Sequence, residues 1–305
     1  MTHAILQKYN LTNADLIGQG MEAAVYRYDP AHVLKLYQGT SNLKRLQTLQ
    51  TFYTALDTRA TRIQLPQLLR IEQAAEALIT IERYLPGKPM AAVVAQTTAE
   101  QLPQLFDVYL RAALELQQVK ISPEPRRYKL FDEAGLSACK QGDFHAFLWR
   151  WVTQQAQAIG QFLARDVHNF ADKLELVRTV LAQPYQGALG VVHGDFFPGN
   201  LLLGPTNQVT AIIDFGLFTM FGDPLFDIAT GWVFFDMYDE LKLNIRARLL
   251  DFIVAKLGAN VKPRLQLYVL LFSILGANAY SACTDGHYAW CVMNLNDPAL
   301  WAAIG

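Results

Sequence analysis

The fold is decided by the stretch V-V-H-G-D-F-F-P-G-N at residues 191–200, followed by A-I-I-D-F-G at residues 211–216. The first stretch places Asp195 and Asn200 at the acid-to-amide interval of the catalytic loop H-R-D-x-x-x-x-N, and the D-F-G tripeptide begins at Asp214. An acid can take or orient the hydrogen of an attacking hydroxyl group. Amide and carboxylate oxygens suit Mg²⁺, a hard cation. We therefore expect phosphoryl transfer, with Asp195 as the carboxylate that accepts or orients the hydroxyl hydrogen and Asn200 and Asp214 as metal ligands.

Each of these two signals is weak alone. A D-F-G tripeptide is common by chance, and Asp214 in isolation fits equally well as a turn residue at a strand end. His193 lies in the same catalytic loop. We expect it to bond backbone carbonyls and position the loop rather than react, because the neighbouring Asp195 is the usual hydroxyl acceptor. The two motifs occur in order, and each follows an apolar strand-like run, which argues against coincidence.

A third segment, G-D-P-L-F-D-I-A at residues 222–229, completes a recognisable pattern. Together the three segments resemble the aminoglycoside phosphotransferase and choline kinase superfamily, the small-molecule branch of the protein-kinase-like fold. The resemblance implies an α+β fold of two lobes, a small antiparallel-sheet N-lobe and a larger, mainly helical C-lobe. It also implies that Asp227 braces the catalytic loop from behind. Gly194 replaces the Arg of H-R-D and no A-P-E follows, so an ordinary protein kinase is disfavoured.

Composition limits the other classes of protein. The 305 residues suit two lobes or one large domain, and the 52% hydrophobic content is ample for a core. The net charge of −1 gives no nucleic-acid footprint, so no nucleic-acid partner is expected. Three cysteines, Cys139, Cys283 and Cys291, have no C-x-x-C spacing and indicate reduced thiols in a cytosolic protein.

Nothing in the sequence predicts a membrane partner. The first residues lack the basic region and apolar run of a signal peptide, so we expect a cytoplasmic protein. The most apolar stretch, residues 265–282, is interrupted by polar residues and is shorter than the roughly 20 apolar residues that a membrane helix needs. We predict a buried core helix there.

The N-lobe is predicted at residues 1–86 and the C-lobe at residues 87–305. Residues 16–28 have the pattern of a strand, a glycine-containing turn and a second strand, and Gly18 and Gly20 would let backbone amides approach phosphate oxygens. A tight hairpin would need such glycines in any case. Lys35 lies on the next predicted strand and is expected to contact the α- and β-phosphates of the nucleotide, although an edge-strand lysine could equally face water.

The predicted helix at residues 41–56 departs from the kinase pattern. Kinases place a Glu there to pair with the strand lysine, yet this stretch has no Asp or Glu. Gln47 or Gln50 could substitute, or Glu72 or Glu82 could reach in. The gap keeps open the alternative of a nucleotide-binding regulatory pseudokinase with little turnover.

Two further strands are predicted at residues 65–69 and 77–85, and Pro86-Gly87 ends the second. The family resemblance implies an interlobe hinge at residues 82–85, whose backbone would bond the adenine edge. Glu82 and Tyr84 are therefore candidate nucleotide-binding residues, placed by position alone. An ordinary strand that leaves for a turn would have the same pattern.

The C-terminal half is predicted to be mainly helical, with helices at residues 102–116, 144–181 (interrupted near 166–170), 225–241, 245–257 and 264–282. The acceptor pocket is poorly specified. An acidic and aromatic lining would suit an amine-bearing alcohol, and the candidates are Trp232, Asp236, Asp239, Glu240, Asp285, His287, Tyr288 and Trp290. Arg126 and Arg127 would instead suit an anionic acceptor.

These observations predict an ATP- and Mg²⁺-dependent phosphotransferase that acts on a hydroxyl group of a small molecule, such as an amino alcohol or amino sugar. The acceptor itself is not specified by the sequence. We expect a monomer or a homodimer.

Overall fold

The computed structural model describes residues 2–20, 23–37, 42–74, 77–133, 135, 138 and 144–304, and for residues 239–241 it describes the backbone alone. The strands are β1 (Leu16–Gln19), β2 (Ala23–Arg27), β3 (His32–Tyr37), β4 (Leu56–Asp57), β5 (Leu68–Ala74), β6 (Ala77–Arg83), β7 (Lys88–Pro89), β8 (Lys120–Ile121), β9 (Gly190–Val192), β10 (Leu201–Leu203), β11 (Val209–Ile212) and β12 (Met220–Gly222). The helices are α1 (Thr2–Lys8), α2 (Leu43–Ala55), α3 (Ala91–Val94), α4 (Leu102–Leu116), α5 (Phe144–Asp166), α6 (Phe170–Leu181), α7 (Leu225–Phe234), α8 (Ile245–Leu257), α9 (Lys262–Leu275), α10 (Gly286–Asn296) and α11 (Pro298–Trp301).

The N-terminal sheet is antiparallel, with strand order β1-β2-β3-β6-β5. Because side chains alternate between the two faces of a strand, Leu34 and Leu36 pack under helix α1 with Ile79 and Ile81 of β6. The opposite face carries Lys35. This small sheet confirms the predicted N-lobe architecture.

The C-terminal part is mainly helical, as predicted. Helix α9 is buried along residues 265–275, which confirms the predicted core helix, although it ends before residue 282. The predicted interruption near residues 166–170 is confirmed, since α5 ends at Asp166 and α6 begins at Phe170. None of the helices within the described ranges is long and apolar enough to cross a membrane.

Some boundaries differ from the predictions. The strand predicted at residues 65–69 lies at Leu68–Ala74, and the helix predicted at 225–241 ends at Phe234 and continues as 3₁₀ helix to Leu241. Cys283 and Cys291 are buried free thiols, as expected. Cys139 lies outside the described residues.

Short strand pairs place the catalytic loop and the D-F-G segment side by side. Strand β9 leads into the catalytic loop, which ends where β10 begins, and β10 pairs antiparallel with β11 with Leu201 opposite Ile212. Strand β12 returns to pair with β9. The end of the catalytic loop and the start of the D-F-G segment therefore lie at the same end of one hairpin.

Candidate active site

The β10–β11 hairpin fixes the spacing of the two predicted metal ligands. The backbone N–H of Ile213 donates to the carbonyl of Asn200 at 2.9 Å, one residue before Asp214. Asn200 also donates through Nδ2 to Oδ2 of Asp195, at 3.0 Å, and to the Asp195 carbonyl, at 2.9 Å. The three residues Asp195, Asn200 and Asp214, separated in sequence, are thus brought together by strand pairing.

Asp227 holds the catalytic loop from behind, as the family resemblance implies. Its carboxylate accepts the backbone N–H groups of His193, at 2.7 Å, and Gly194, at 2.8 Å. Burial raises the pKa of Asp227 to about 7, against the lowering effect of these two hydrogen bonds. A carboxylate that accepts two adjacent amides fixes the direction of the loop. The sequence identified this residue correctly.

His193 is fully buried, and its imidazole ring hydrogen-bonds to backbone groups of the described residues. Its Nδ1 atom accepts the N–H of Asp195 at 3.2 Å, so the proton lies on Nε2, which donates to the carbonyl of Ile213 at 2.8 Å. Burial lowers the pKa of His193 to about 4. A neutral imidazole with both nitrogens engaged links the catalytic loop to the D-F-G segment, which agrees with the expected positioning role.

Gly194 occupies the position at which H-R-D loops carry Arg. Its φ angle is 81°, in the left-handed region, and a Cβ atom there would overlap the carbonyl group of Phe218. Thr219 reinforces this contact, because its Oγ1 donates to the carbonyl of His193 at 2.7 Å and accepts the N–H of Gly216 at 2.8 Å. The close approach of the two segments therefore requires glycine at position 194.

Asp195 is half-buried, and its carboxylate is not paired with a cation among the described residues. Burial raises its pKa to about 6, partly offset by the bond from Asn200 and assisted by the negative charge of Asp214. A carboxylate whose pKa approaches neutrality is suited to take a proton from a hydroxyl group.

Lys35 connects the N-terminal sheet to the D-F-G segment. Its Nζ atom lies 3.1 Å from Oδ1 of Asp214 and 3.2 Å from Oε2 of Glu82. Burial opposes the charged form of Lys35, but the two carboxylates outweigh it and raise its pKa well above the usual range. The charge of Lys35 lowers the pKa of Asp214 in return. Lys35 is therefore a charged residue held at the site and is not a solvated edge-strand lysine.

Glu82 is the carboxylate that pairs with Lys35 in place of the missing helix Glu. Glu82 as a whole residue is 3% exposed, and Thr80 donates to its Oε1 at 2.8 Å. Strand β3 pairs with β6 so that Lys35 lies opposite Thr80, and residues two apart share a face, which places Glu82 beside the lysine. Of the other candidates, Glu72 pairs with Lys8 and Arg70, and Gln50 donates to the carbonyl of Leu68.

The backbone of the predicted hinge is partly engaged. The N–H of Tyr84 donates to the carbonyl of Ala31 at 2.7 Å, so it is not free to bond adenine. The Tyr84 ring packs under the guanidinium group of Arg27, with 3.3 Å from Cζ to the ring centroid. The hinge role of Tyr84 stays a prediction and would have to use its carbonyl.

The glycine turn has the predicted strand–turn–strand form. Gly18 lies opposite Val25 in the β1–β2 pair, and the N–H of Gly20 donates to the carbonyl of Ala23 at 2.9 Å. Residues 21 and 22 lie outside the described residues.

Most of the residues proposed for an acidic acceptor pocket have structural partners instead. Asp236 accepts from Arg246 and Trp290, Asp285 caps helix α10, and Tyr288 donates to Asp166. Trp232 is buried. His287 bonds the carbonyl of Gly276. The side chains of Asp239 and Glu240 lie outside the described part of the chain.

Sequence reasoning missed a pocket beside the D-F-G segment. It has a volume of about 350 Å³ and is lined by residues of α5, of the end of α9 and of the segments around residues 129 and 217. Among the described lining residues the charged one is Lys129, whose ammonium group lies 4.1 Å from the Trp151 ring centroid. The segment that carries Lys129 has no periodic pattern that would have marked it.

A profile of the phosphotransferase enzyme family matches residues 14–265 of the chain. The chain belongs to the phosphotransferase enzyme family. This membership identifies it as a kinase of small molecules, and the matched range includes the lysine, the catalytic loop and the D-F-G segment. A comparison with curated proteins found no match.

Solved structures of aminoglycoside phosphotransferases share this fold along nearly the whole chain. APH(2'')-IIa in complex with gentamicin is 16% identical, with 97% of this chain and 95% of that chain covered and a TM-score of 0.56. ADP-bound APH(2'')-Ib is 17% identical, with 97% and 96% covered and a TM-score of 0.56. APH(3'')-Id from Streptomyces rimosus, in complex with ADP and streptomycin, is 18% identical, with 90% and 97% covered and a TM-score of 0.54. At these identities the likeness concerns the fold.

Proposed function

We propose that this phosphotransferase moves the γ-phosphoryl group of ATP, with Mg²⁺, to a hydroxyl group of a small molecule. The proposal depends on one observation about Lys35. This lysine forms ion pairs with both Glu82 and Asp214, and Asp214 lies near the hydrogen-bonded pair Asp195 and Asn200. The N-lobe at residues 1–86 would supply the nucleotide contacts, and the C-lobe at residues 87–305 the catalytic loop and the acceptor pocket.

The glycine turn fits a nucleotide phosphate. Among the described residues, a Cβ atom at Gly18 would meet only the Val25 Cβ, at 3.9 Å, and one at Gly20 only the Ala23 carbonyl oxygen, at 3.8 Å. Packing against these described residues therefore does not require glycine at the two positions. Glycines that the chain itself does not need are expected where a ligand approaches the backbone closely.

The residues also fit Mg²⁺. Asn200 uses Nδ2 on Asp195, and the described residues make no hydrogen bond to its Oδ1 atom, which leaves a hard oxygen donor. Asp214 is 56% exposed and is kept ionised by Lys35. Two such ligands are enough for Mg²⁺, which usually retains waters and binds the substrate phosphates. When bound, the ion would neutralise charge on the β- and γ-phosphate oxygens.

The chemistry of the chain's own residues follows from this arrangement. Asp195 takes the proton of the acceptor hydroxyl as the hydroxyl oxygen forms its bond to the γ-phosphorus and the bond to the bridging oxygen breaks, releasing ADP. Lys35 stabilises the negative charge of the α- and β-phosphates, and Glu82 fixes the direction of the lysine. His193 and Asp227 keep Asp195 in place and exchange no proton.

The alternative of a regulatory pseudokinase was motivated by the missing helix Glu. The carboxylate of Glu82 now supplies a partner for Lys35, and Asp195, Asn200 and Asp214 are all present. These observations favour turnover.

A coupled ADP-release assay of the purified protein, against a panel of small alcohols, amino sugars and sugar acids, tests the proposal. We expect Mg²⁺-dependent ADP release that Asp195→Ala abolishes. Nucleotide binding without any turnover dependent on Asp195 would instead support the pseudokinase alternative.

A further inference from the structure

The pocket beside the D-F-G segment adjoins the catalytic loop. Phe218 lines the pocket, and its carbonyl group is the one that excludes a side chain at Gly194, next to Asp195. On the other side, Tyr280 follows the lining residue Ala279. Burial raises the pKa of Tyr280, and the negative charge of Asp195 acts in the same direction. An acceptor held in this pocket would therefore lie next to the segment that packs against the catalytic loop.

The lining has the chemistry of a site for an anionic polyol. It combines three amide side chains, those of Gln154, Gln155 and Asn278, with the ammonium group of Lys129. Gln155 donates to Asn278 at 2.5 Å and joins α5 to the turn after α9. Amides can both donate to and accept from hydroxyl groups. The described lining residues include no carboxylate.

Lys129 lacks an anionic partner among the residues that the structure describes, since none of their carboxylates forms a salt bridge with it. Its half-buried ammonium group lies over Trp151, which stacks on Phe218. Burial lowers the pKa of Lys129, although the charges of Asp132 and Glu133 act in the opposite direction. A desolvated cation without a counter-ion is costly, and an anionic ligand would remove that cost.

Of the carboxylates predicted for an amine-binding pocket, the two whose side chains the structure describes, Asp236 and Asp285, are already engaged within the chain. The carboxylate of Asp236 forms an ion pair with Arg246 at 2.7 Å, and the carboxylate of Asp285 caps the N-terminus of α10. A cationic acceptor entering this pocket would meet Lys129 instead, and like charges in a partly desolvated pocket repel.

We propose that the acceptor is a hydroxylated anion, a polyol that carries a carboxylate or phosphate group bound by Lys129, with its hydroxyl groups bound by the three amides. This inference rests on the proposed kinase function and specifies its acceptor. Because the lysine ammonium is a point charge without the planar fork of Arg, either anionic group would suit it.

Matched acceptors test the charge. Two sets share a carbon chain and differ at one end: glucitol, gluconate and 1-amino-1-deoxyglucitol form one, and glycerol, glycerate, glycerol 3-phosphate and 3-amino-1,2-propanediol the other. We expect kcat/KM, measured by ADP release, to be at least about tenfold higher for an anionic member than for its neutral partner, and lowest for the amine. The glycerol set separates carboxylate from phosphate.

Variants of Lys129 test whether this residue causes the preference for anionic acceptors. Lys129→Met keeps the aliphatic stem on Trp151 and should reduce the anion-to-neutral ratio to about one. Lys129→Arg should retain most of the preference, and Lys120→Gln, at an exposed lysine of β8, should leave it unchanged. Binding of the same compounds in the presence of Mg²⁺ and a non-hydrolysable ATP analogue is measured by tryptophan fluorescence, and thermal melting checks folding.

The outcomes separate the two proposals. Preference for the amine member, an anion preference that survives in folded Lys129→Met, or absence of binding by every anionic member would overturn the anionic acceptor while Asp195-dependent ADP release still stood. Absence of any ADP release dependent on Asp195, with all compounds, would overturn the kinase function itself.

Discussion

Replacing Glu82 with Gln would remove a negative charge 3.2 Å from the Nζ atom of Lys35 while keeping the size of the side chain. The pair is buried on the glutamate side, where Thr80 also donates to the carboxylate at 2.8 Å. If this pair directs the lysine toward the α- and β-phosphates, the substitution should weaken nucleotide binding. The same change tests whether a strand residue has taken the role that kinases give to a helix Glu.

The expected loss of ATP affinity depends on the ion pair of Lys35 that remains after Glu82→Gln. Breaking a fully buried ion pair from one side costs about 3–5 kcal/mol. Here Asp214 stays 3.1 Å from the same ammonium group and Lys35 is 17% exposed, so the lysine charge is still partly balanced. The loss should approach that of one hydrogen bond to a charged group, about 1.5–3 kcal/mol. We therefore expect ATP affinity to fall roughly 10- to 100-fold, since each 1.4 kcal/mol is tenfold.

The assay is a titration with a fluorescent ATP analogue in the presence of Mg²⁺, which needs no acceptor. Glu72→Gln is the matched control, because Glu72 pairs with Lys8 at the partly exposed edge of the same sheet. Surface ion pairs contribute about 0–1 kcal/mol, and this one does not contact Lys35, so ATP affinity should stay within about twofold. A folded Glu82→Gln protein that binds ATP as tightly as the parent would refute the reasoning.

Four further predictions address the remaining site residues. Asp195→Ala should lower turnover by about 10²–10⁴-fold and retain nucleotide affinity, measured by ADP release and calorimetry; a folded variant that keeps most activity would contradict the assignment. Because the pKa of Asp195 is raised to about 6 and only the ionised form accepts a proton, kcat should fall as pH is lowered through about 6. A flat pH profile would exclude that role. Asp214→Asn should weaken Mg²⁺-dependent nucleotide binding more than metal-free binding, and equal Mg²⁺ dependence by calorimetry would argue against a metal ligand. Lys35→Met should weaken binding of ATP but not of adenosine, and unchanged ATP affinity would remove Lys35 from the phosphate site.

The catalytic loop could be predicted because its geometry is local. Asp195 and Asn200 are five positions apart, and a hairpin that starts at the end of the loop brings Asp214 to the same place. The brace from Asp227 could be expected for a related reason, since its segment carries a recognisable pattern. In each case a short stretch of sequence contains both the residue and the signal.

Long-range pairing could not be predicted in the same way. The contact between Glu82 and Lys35 depends on the register of β3 against β6, which sequence alone does not specify. Glu82 was predicted as a hinge residue and also as one of four possible partners of Lys35, and nothing in the sequence distinguished it from Gln47, Gln50 and Glu72. Lys129 lies on a segment whose position depends on pairing with residues 219–221, so nothing periodic marked it as lining a pocket.

The site residues are positioned by two different pairs of strands, each of which forms a frame of its own. Asn200 and Asp214 are spaced by the β10–β11 pairing, and Lys35 and Glu82 by the β3–β6 pairing. A rotation of one frame against the other would leave the spacing within each pair intact. It would change the separation of Lys35 Nζ from Asp214 Oδ1, which is 3.1 Å here. That one interatomic distance therefore reports any rotation of one frame against the other. It can be compared directly between structures with and without nucleotide.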